Sequence, residues 1–180
     1  MTTSENGYQI IRRFEACVLH PYLDIAGVAS IGWGSTMYSN GKRVTINDAP
    51  ISQAYADALL KWEVETKEKS VNAYLSKTFV TQNQFDSLVS FVYNLGVGAI
   101  DKSRLFKTVR LNPNEARSIK ADDMDDLPVK EWFKANGIIA VPLITYFFSL
   151  WSKITVGGSL ILSKGLIKRR LQEASLYLSK

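Results

Sequence analysis

Histidine and cysteine are nearly missing from this 180-residue chain, which holds one of each, His20 and Cys17. A lone cysteine excludes an intramolecular disulfide framework, and no Cys/His cluster exists from which a zinc site could be built. A serine- or cysteine-based nucleophilic system is disfavoured for the same reason. Only His20 could act as its base, and Pro21 follows directly in what reads as a turn. Cys17 reads as a small packing residue, with a reactive thiol as the alternative. A membrane-spanning run is missing too: the apolar stretch Ile138 to Trp151 is shorter than the roughly 20 residues a span needs and contains Pro142, so a buried helix is expected there. The opening residues, MTTSENG, carry neither a basic start nor an apolar stretch, so no signal peptide or anchor is read from them. Neither internal repeats nor flexible linkers are visible, which favours one compact unit.

What is present supports a folded core. Apolar residues make up 46% of the chain, enough to bury a substantial interior. The net charge of +5 and a pI near 9.3 suit an anionic polymer as partner. Bacterial cell wall, nucleic acid and acidic lipid surfaces all qualify, so charge alone does not choose among them.

Two carboxylates stand out near the N-terminus. Glu15 is followed nine residues later by Asp24 and then by the glycine-punctuated run Ala29 to Thr36. Cutting a glycosidic bond takes one carboxyl to protonate the leaving oxygen and a second to handle water or the oxocarbenium-like centre. Glu15, beside Phe14 and apolar strand residues, is the better placed to hold its proton, and Asp24 in a polar turn to stay ionised. The plainer alternative makes Glu15 a surface helix residue paired with Arg12 or Arg13.

Periodicity supplies the frame. Ile10, Ile11 and Phe14 share one face of a first helix over 8–15. Pro21 and Tyr22 are expected to break it, Asp24 to Gly27 to turn, and residues 28–44 to form a small antiparallel sheet with 39–42 as its hairpin turn. A long helix is expected from Ser52 to Leu75, capped by Ser52 or Asn47, with Ala54, Ala58, Leu59, Trp62, Val71 and Leu75 as its apolar stripe. The segment 81–96 opens with a good cap and is apolar over most of its circumference, as the central helix of a helical lobe would be. Asn94 should emerge where Gly96 and Gly98 end it. Residues 112–137, with Asp122, Asp123, Asp125 and Asp126, read as a solvated irregular excursion, lacking the ligand spacing and glycine of a calcium loop. Lys164 to Leu178 reads as an amphipathic helix with Leu166, Ile167, Leu171 and Leu176 inward, and Lys168, Arg169 and Arg170 on a solvated or substrate-facing edge.

Phe14-Glu15, Tyr22 and Asp24, the run Ser30 to Thr36, the stretch Gln82 to Gly98, and Trp151, Gly157-Gly158, Gly165-Leu166 and Arg169-Arg170 with Glu173 together resemble the phage-type lysozymes, the endolysins of glycoside hydrolase family 24. The resemblance covers about 10–105 and 147–178. It implies a mostly helical α+β fold of two lobes: a small sheet-containing lobe over about 15–50, a connecting helix over about 52–75, and a helical lobe over about 76–180 that includes the N-terminal helix. An insertion-like region over about 108–142 has no counterpart in it. The resemblance also implies cofactor-free, metal-free hydrolysis of the β-1,4 bond between N-acetylmuramic acid and N-acetylglucosamine in peptidoglycan. Residue by residue, Glu15 matches the general acid and Asp24 the carboxylate that activates water. Ser30 stands at a position usually threonine, and it keeps the hydroxyl but loses the methyl that restricts its rotamer. Tyr22, Asn94 and Gly96 match substrate-contacting positions. Ser35 replaces the family's usual histidine, at a place that reads as support for the sheet.

An inverting reaction, as the resemblance suggests, expects the Glu15 and Asp24 carboxyls to lie roughly 6.5–9.5 Å apart. The expected partner is bacterial peptidoglycan, acted on by a monomer without nucleic acid or stable membrane insertion; an immunity or regulatory protein is a further candidate. The resemblance places synthesis in the cytoplasm and action at the cell wall, after delivery by a holin or a secretion machine. Two readings from other classes compete: a wall-binding module that has lost chemistry, suggested by Ser30 and Ser35, and a cationic membrane-disrupting protein acting through its C-terminal helix.

Overall fold

A computed structural model describes residues 1–24 and 27–179. The first helix, α1 (Glu5–Phe14), turns Gly7, Ile10 and Ile11 inward and ends where Glu15 becomes extended, its N–H still donating to Ile11 O at 3.1 Å. Ser4 precedes α1, but its hydroxyl does not cap the helix. Ser4 instead donates through both N (3.0 Å) and Oγ to the carboxylate of Asp86, which is fully buried and also accepts from Gln82 Nε2 at 2.8 Å. The chain start is thereby strapped onto the helical core. Asp86→Ala removes the acceptor for several donors at once and is expected to cost about 2–4 kcal/mol, read as a lowered urea midpoint.

After Glu15 the chain forms β1 (Val18–Leu23), antiparallel to β2 (Ala29–Gly32), with Tyr22 opposite Ser30 and Leu23 opposite Ala29. This corrects the expected turn at Pro21 and Tyr22. Pro21 falls where the register shifts, between Val18 and Tyr22, so the irregular ladder accommodates a residue with no N–H to donate. The expected turn after Asp24 is closed by Asp24 N to Val28 O (3.0 Å) and Gly27 N to Asp24 O (2.9 Å). Ile25 and Ala26 within it lie outside the described residues.

The sheet expected over 28–44 is smaller than its sequence pattern. Beyond Gly32 only isolated bridges continue it, Ile31 with Ser35 and Met37 with Arg43. The second closes the expected 39–42 turn, where Asn40 Oδ1 accepts from Lys42 N at 2.9 Å. Beneath this region Ile31, Val44 and Leu59 form a small apolar cluster.

The long helix α2 (Gln53–Tyr74) begins as its sequence indicates, with Ser52 Oγ accepting from Tyr55 N at 3.1 Å. Its buried face keeps Leu59, Val71 and Leu75 of the expected stripe but is otherwise offset from it. Ala54 and Ala58 are exposed, while Ala56, Leu60, Val64, Glu68 and Val71 face inward at three- and four-residue intervals. The next helix, α3 (Gln82–Leu95), opens with a full capping box between Thr81 and Gln84 and is buried continuously from Gln84 to Val92. It is the axle of the larger core, packed by α1, α2 and the last helix of the chain.

Short helices α4 (Ala99–Lys102) and α5 (Arg104–Leu111) lead into a segment that is more regular than expected. There β3 (Ser118–Lys120) pairs with β4 (Ala140–Pro142), flanking a 3-10 turn over Ala121–Asp123 and helix α6 (Leu127–Ala135). Ala121, Met124, Val129, Phe133 and Val141 join the larger core, so this stretch is no solvated excursion. Three of its four aspartates are engaged in the fold. Asp122 pairs with Lys134, Asp125 with Arg104 and Tyr146, and Asp126 caps α6 while pairing with Lys153. Helix α7 (Leu143–Ser149) starts directly after Pro142, as a proline allows, and is largely buried. A hairpin of β5 (Lys153–Val156) and β6 (Ser159–Leu162) turns at Gly157-Gly158 and feeds α8 (Lys164–Leu178). Among the described residues no helix is long and apolar enough to cross a membrane.

Candidate active site

Glu15 does not pair with Arg12 or Arg13. Arg12 reaches Glu5 at 3.1 Å and Arg13 reaches Gln172 at 3.2 Å, while Glu15 Oε1 accepts from Arg169 Nη1 of α8 at 2.5 Å. Arg169 is only 3% exposed and Arg170 is fully buried, which corrects the solvated or substrate-facing edge expected from their charge. Two adjacent buried arginines need anionic compensation, and α8 supplies it one turn later. Glu173 Oε1 accepts from Arg169 Nε (3.2 Å), Arg170 Nη2 (3.0 Å) and Ser90 Oγ (2.8 Å). The guanidinium of Arg169 lies over the Phe14 ring at 5.7 Å, and that of Arg170 over Phe91 at 5.0 Å. Burial pushes the Glu173 carboxyl above its usual range and Arg170 down to about 10, while their opposite charges work against both shifts.

Asn94 belongs to the same network, its Oδ1 accepting from Arg170 Nη2 at 3.0 Å. Gly96 caps α3 with a positive φ of 81°, a backbone state that a side chain would strain, and its N–H donates to Val92 O at 2.8 Å. Asn94 is thus tied to Glu15 through Arg170, Glu173 and Arg169, and Gly96 is fixed by helix termination.

The second carboxylate is held by the β1–β2 turn. Asp24 is half-buried, and its Oδ1 accepts from Val28 N at 2.8 Å. Ser30, buried on β2, donates through Oγ to Val28 O at 3.3 Å. The Val28 peptide therefore anchors both side chains. Tyr22, cross-strand from Ser30, has its phenol raised by burial first and then by the charges of Glu15 and Asp24. Tyr22, Asp24 and Ser30 therefore lie together on the β1–β2 hairpin.

The floor of the site is the turn Trp33-Gly34-Ser35. A β-carbon built on Gly34, whose φ is 93°, would lie 3.8 Å from Glu15 Oε2, so the carboxyl rests over this glycine. Trp33 Nε1 donates to Asp57 Oδ1 at 2.8 Å, and Trp33 O accepts from Tyr93 Oη at 3.0 Å. Ser35 does support the sheet, exchanging both backbone hydrogen bonds with Ile31 at 2.9 Å.

Arg169 as partner of Glu15, and Trp33 and Tyr93 near it, lie outside the sequence-derived site. The Arg169/Arg170/Glu173 spacing of three and four residues carried a signal, since it sets one acid beside both arginines on the same helix face. Tyr93 offered none beyond its place in an apolar helix. Among the described residues no group of three or more histidine, cysteine or carboxylate side chains gathers in a metal-holding arrangement.

Known proteins give this geometry its context. The phage lysozyme family model matches residues 12–145. An endolysin of Acyrthosiphon pisum secondary endosymbiont phage 1 is 31% identical over 177 residues, covering 98% of both chains. Among solved structures, an endolysin from Escherichia coli O157:H7 phage FAHEc1 superposes with a TM-score of 0.76 at 30% identity, covering 99% of this chain and 94% of its own. The muramidase domain of SpmX from Asticaccaulis excentricus superposes with a TM-score of 0.71 at 25% identity over 99% of each chain. Full-length similarity of this kind has one reading: the chain belongs to the phage lysozyme family.

Proposed function

We infer that the protein is a peptidoglycan hydrolase, a muramidase that cleaves the β-1,4 bond between N-acetylmuramic acid and N-acetylglucosamine and so lyses bacterial cell wall. The observation that carries the residue assignment is the β1–β2 hairpin, which holds Asp24 and Ser30 on the Val28 backbone, with the Glu15 carboxyl resting over Gly34 just beyond it. In this reading Glu15, as its protonated acid, gives its proton to the glycosidic oxygen as the bond to the anomeric carbon breaks. Asp24 takes a proton from a water that attacks that carbon from the opposite face. Glu15 ends as carboxylate, Asp24 ends protonated, and the configuration is inverted. The Arg169 contact to Glu15 is one that a carboxylate makes, so it suits the state left after proton donation.

Ser30 steadies the attacking water. Its hydroxyl gives its proton to Val28 O, and its lone pairs are left to accept from a water beside Asp24. Tyr22, Asn94 and Gly96 contact the glycan. A monomer without cofactor or metal suffices for these steps, and the basic net charge favours an anionic wall. Action at the cell wall requires delivery, by a holin-type lesion or a secretion machine. A wall-binding role without chemistry is less well supported, because the substituted third position still offers a hydroxyl on the peptide that anchors Asp24.

The test is digestion of purified peptidoglycan. Wild type is expected to release reducing muramic acid ends that appear first as the α-anomer, seen by rapid proton NMR. Asp24→Asn should lower this rate about 10²–10⁴-fold, while folding, followed by circular dichroism, stays intact. Binding without new reducing ends would favour the wall-binding module, and a β-anomer would exclude inversion.

A further inference from the structure

Two pieces of backbone frame the Glu15 carboxyl. One is the chain that leaves it through Cys17 into β1, and the other is the Trp33–Ser35 turn, where a β-carbon on Gly34 would lie 3.8 Å from Glu15 Oε2. Both are tied to one side chain of α2. Asp57 Oδ1 accepts from the Trp33 indole Nε1 at 2.8 Å and from Gln53 Nε2 at 3.1 Å, and Gln53 Oε1 in turn accepts from Cys17 Sγ at 3.6 Å. We propose that Asp57 is a positioning residue for Glu15: by holding the Trp33 indole on α2 it fixes the Trp33–Gly34 peptide beneath the carboxyl, a role that rests on the reading of Glu15 as general acid.

The turn needs such a hold because its own backbone supplies little. Trp33 stands between Gly32 and Gly34, whose φ angles of 64° and 93° belong to a region glycine enters freely, along with many others. Hydrogen bonds from outside must select one state. The indole is suited to this, since its N–H can only donate and the half-buried ring, packed against the larger core, has to find an acceptor there. Asp57, itself half-buried, provides it, and a carboxylate acceptor makes a stronger bond than a neutral one.

The same residue is held from a second helix. Tyr93 Oη of α3 donates to Trp33 O at 3.0 Å, and that oxygen belongs to the peptide joining Trp33 to Gly34. With the side chain fixed from α2 and the carbonyl from α3, the peptide under the acid cannot rotate without breaking a hydrogen bond. A general acid must stay within hydrogen-bonding reach of the glycosidic oxygen, and a misplacement of about 1 Å can cost about 10²-fold in rate. Asp57 acts through Trp33, so its loss should fall on kcat. A side chain that merely braced α2 would change the melting temperature and leave the rate of the folded enzyme alone.

Asp57→Leu keeps the approximate size of the side chain and removes the acceptor. Assayed well below its melting temperature, it is expected to lose about tenfold in kcat on peptidoglycan with little change in KM, and Asp57→Asn, which keeps an oxygen for the indole, should recover most of the rate. Trp33→Phe removes the donor and leaves a ring in place. It should lose a similar factor, and adding Asp57→Leu to it should cost little more, because the contact is already gone. Losses that multiply instead of overlapping would overturn the proposal, as would a folded Asp57→Leu enzyme with wild-type kcat or an Asp57→Asn enzyme as slow as Asp57→Leu. Wild-type protein gives a check that needs no variant to keep its activity: by proton NMR the Trp33 indole proton is expected to exchange with solvent far more slowly than that of free tryptophan, and equal rates would contradict the contact. Activity retained by Glu15→Gln would strike the acid assignment, whereas multiplying losses beside an inactive Glu15→Gln would strike Asp57 alone.

Discussion

Glu15→Gln is expected to lower the release of reducing ends from peptidoglycan by about 10³-fold, within the range general acids contribute. Glutamine keeps the size of the side chain and an oxygen that can accept from Arg169 Nη1, so the contact joining the end of α1 to α8 can persist in weakened form. What it cannot do is release a proton to the leaving oxygen. The variant should therefore unfold at nearly the wild-type temperature while turbid suspensions of permeabilised Gram-negative cells stay turbid. The same assay decides against membrane disruption by a basic helix. Of the Lys168-Arg169-Arg170 cluster only Lys168 is exposed, so little of that charge is available to a lipid surface. Lysis by Glu15→Gln at the wild-type rate would make the C-terminal helix the agent and remove Glu15 from the chemistry.

Glu173→Ala is expected to produce the largest loss of stability. Glu173 is completely buried and accepts from Ser90, Arg169 and Arg170. Without it, Arg170 is left in the core with Asn94 as its hydrogen-bonding partner, and Arg169 keeps Glu15 alone. An uncompensated buried charge of this kind costs about 3–5 kcal/mol, which in a chain of this size lowers Tm by roughly 10 °C or more. Replacing the partners together gives the contrasting result. Arg170→Met with Glu173→Leu removes the charge problem along with its solution, and should recover most of the lost stability. Calorimetry of both variants checks the pair. If Glu173→Ala melts within a degree or two of wild type, the triad contributes nothing to the fold. Because Arg169 links this triad to Glu15, the single variant should lose activity at temperatures where it is still folded.

How much of this was legible in the sequence depends on the range of each interaction. Helix boundaries are local events. Ser52 and Thr81 cap α2 and α3 with their own hydroxyls, so both were foreseeable near their true ends, whereas the run expected as one helix over 138–151 splits at Pro142 into β4 and α7. Pairing between strands is less local, and Pro21 misled for that reason. A proline forbids a ladder N–H, but a register shift in a two-stranded sheet asks for none. On α2 the alanines at 54 and 58 matched a helical period but not the buried side, since the phase of a stripe is set by what packs against it. The acidic segment around Met124 looked solvated because four aspartates outweigh one methionine in any window. In the fold each named cation or cap is close by, and Met124 goes inward.

The sequence by itself determined the helical frame, the positions of Glu15, Asp24 and Ser30 around one strand pair, and the family to which those motifs point. Each depends on residues within a few positions of one another, where propensity, capping and turn chemistry act. The partners of the acid were decided only by tertiary structure. Arg169 lies 154 residues from Glu15 along the chain, and its spacing to Glu173 says nothing of which acid on another element it meets. Tyr93 became part of the site only when α3 closed on the Trp33–Ser35 turn. Charges affect one another strongly where water is excluded, and which of them share such a place is settled by packing across the whole chain.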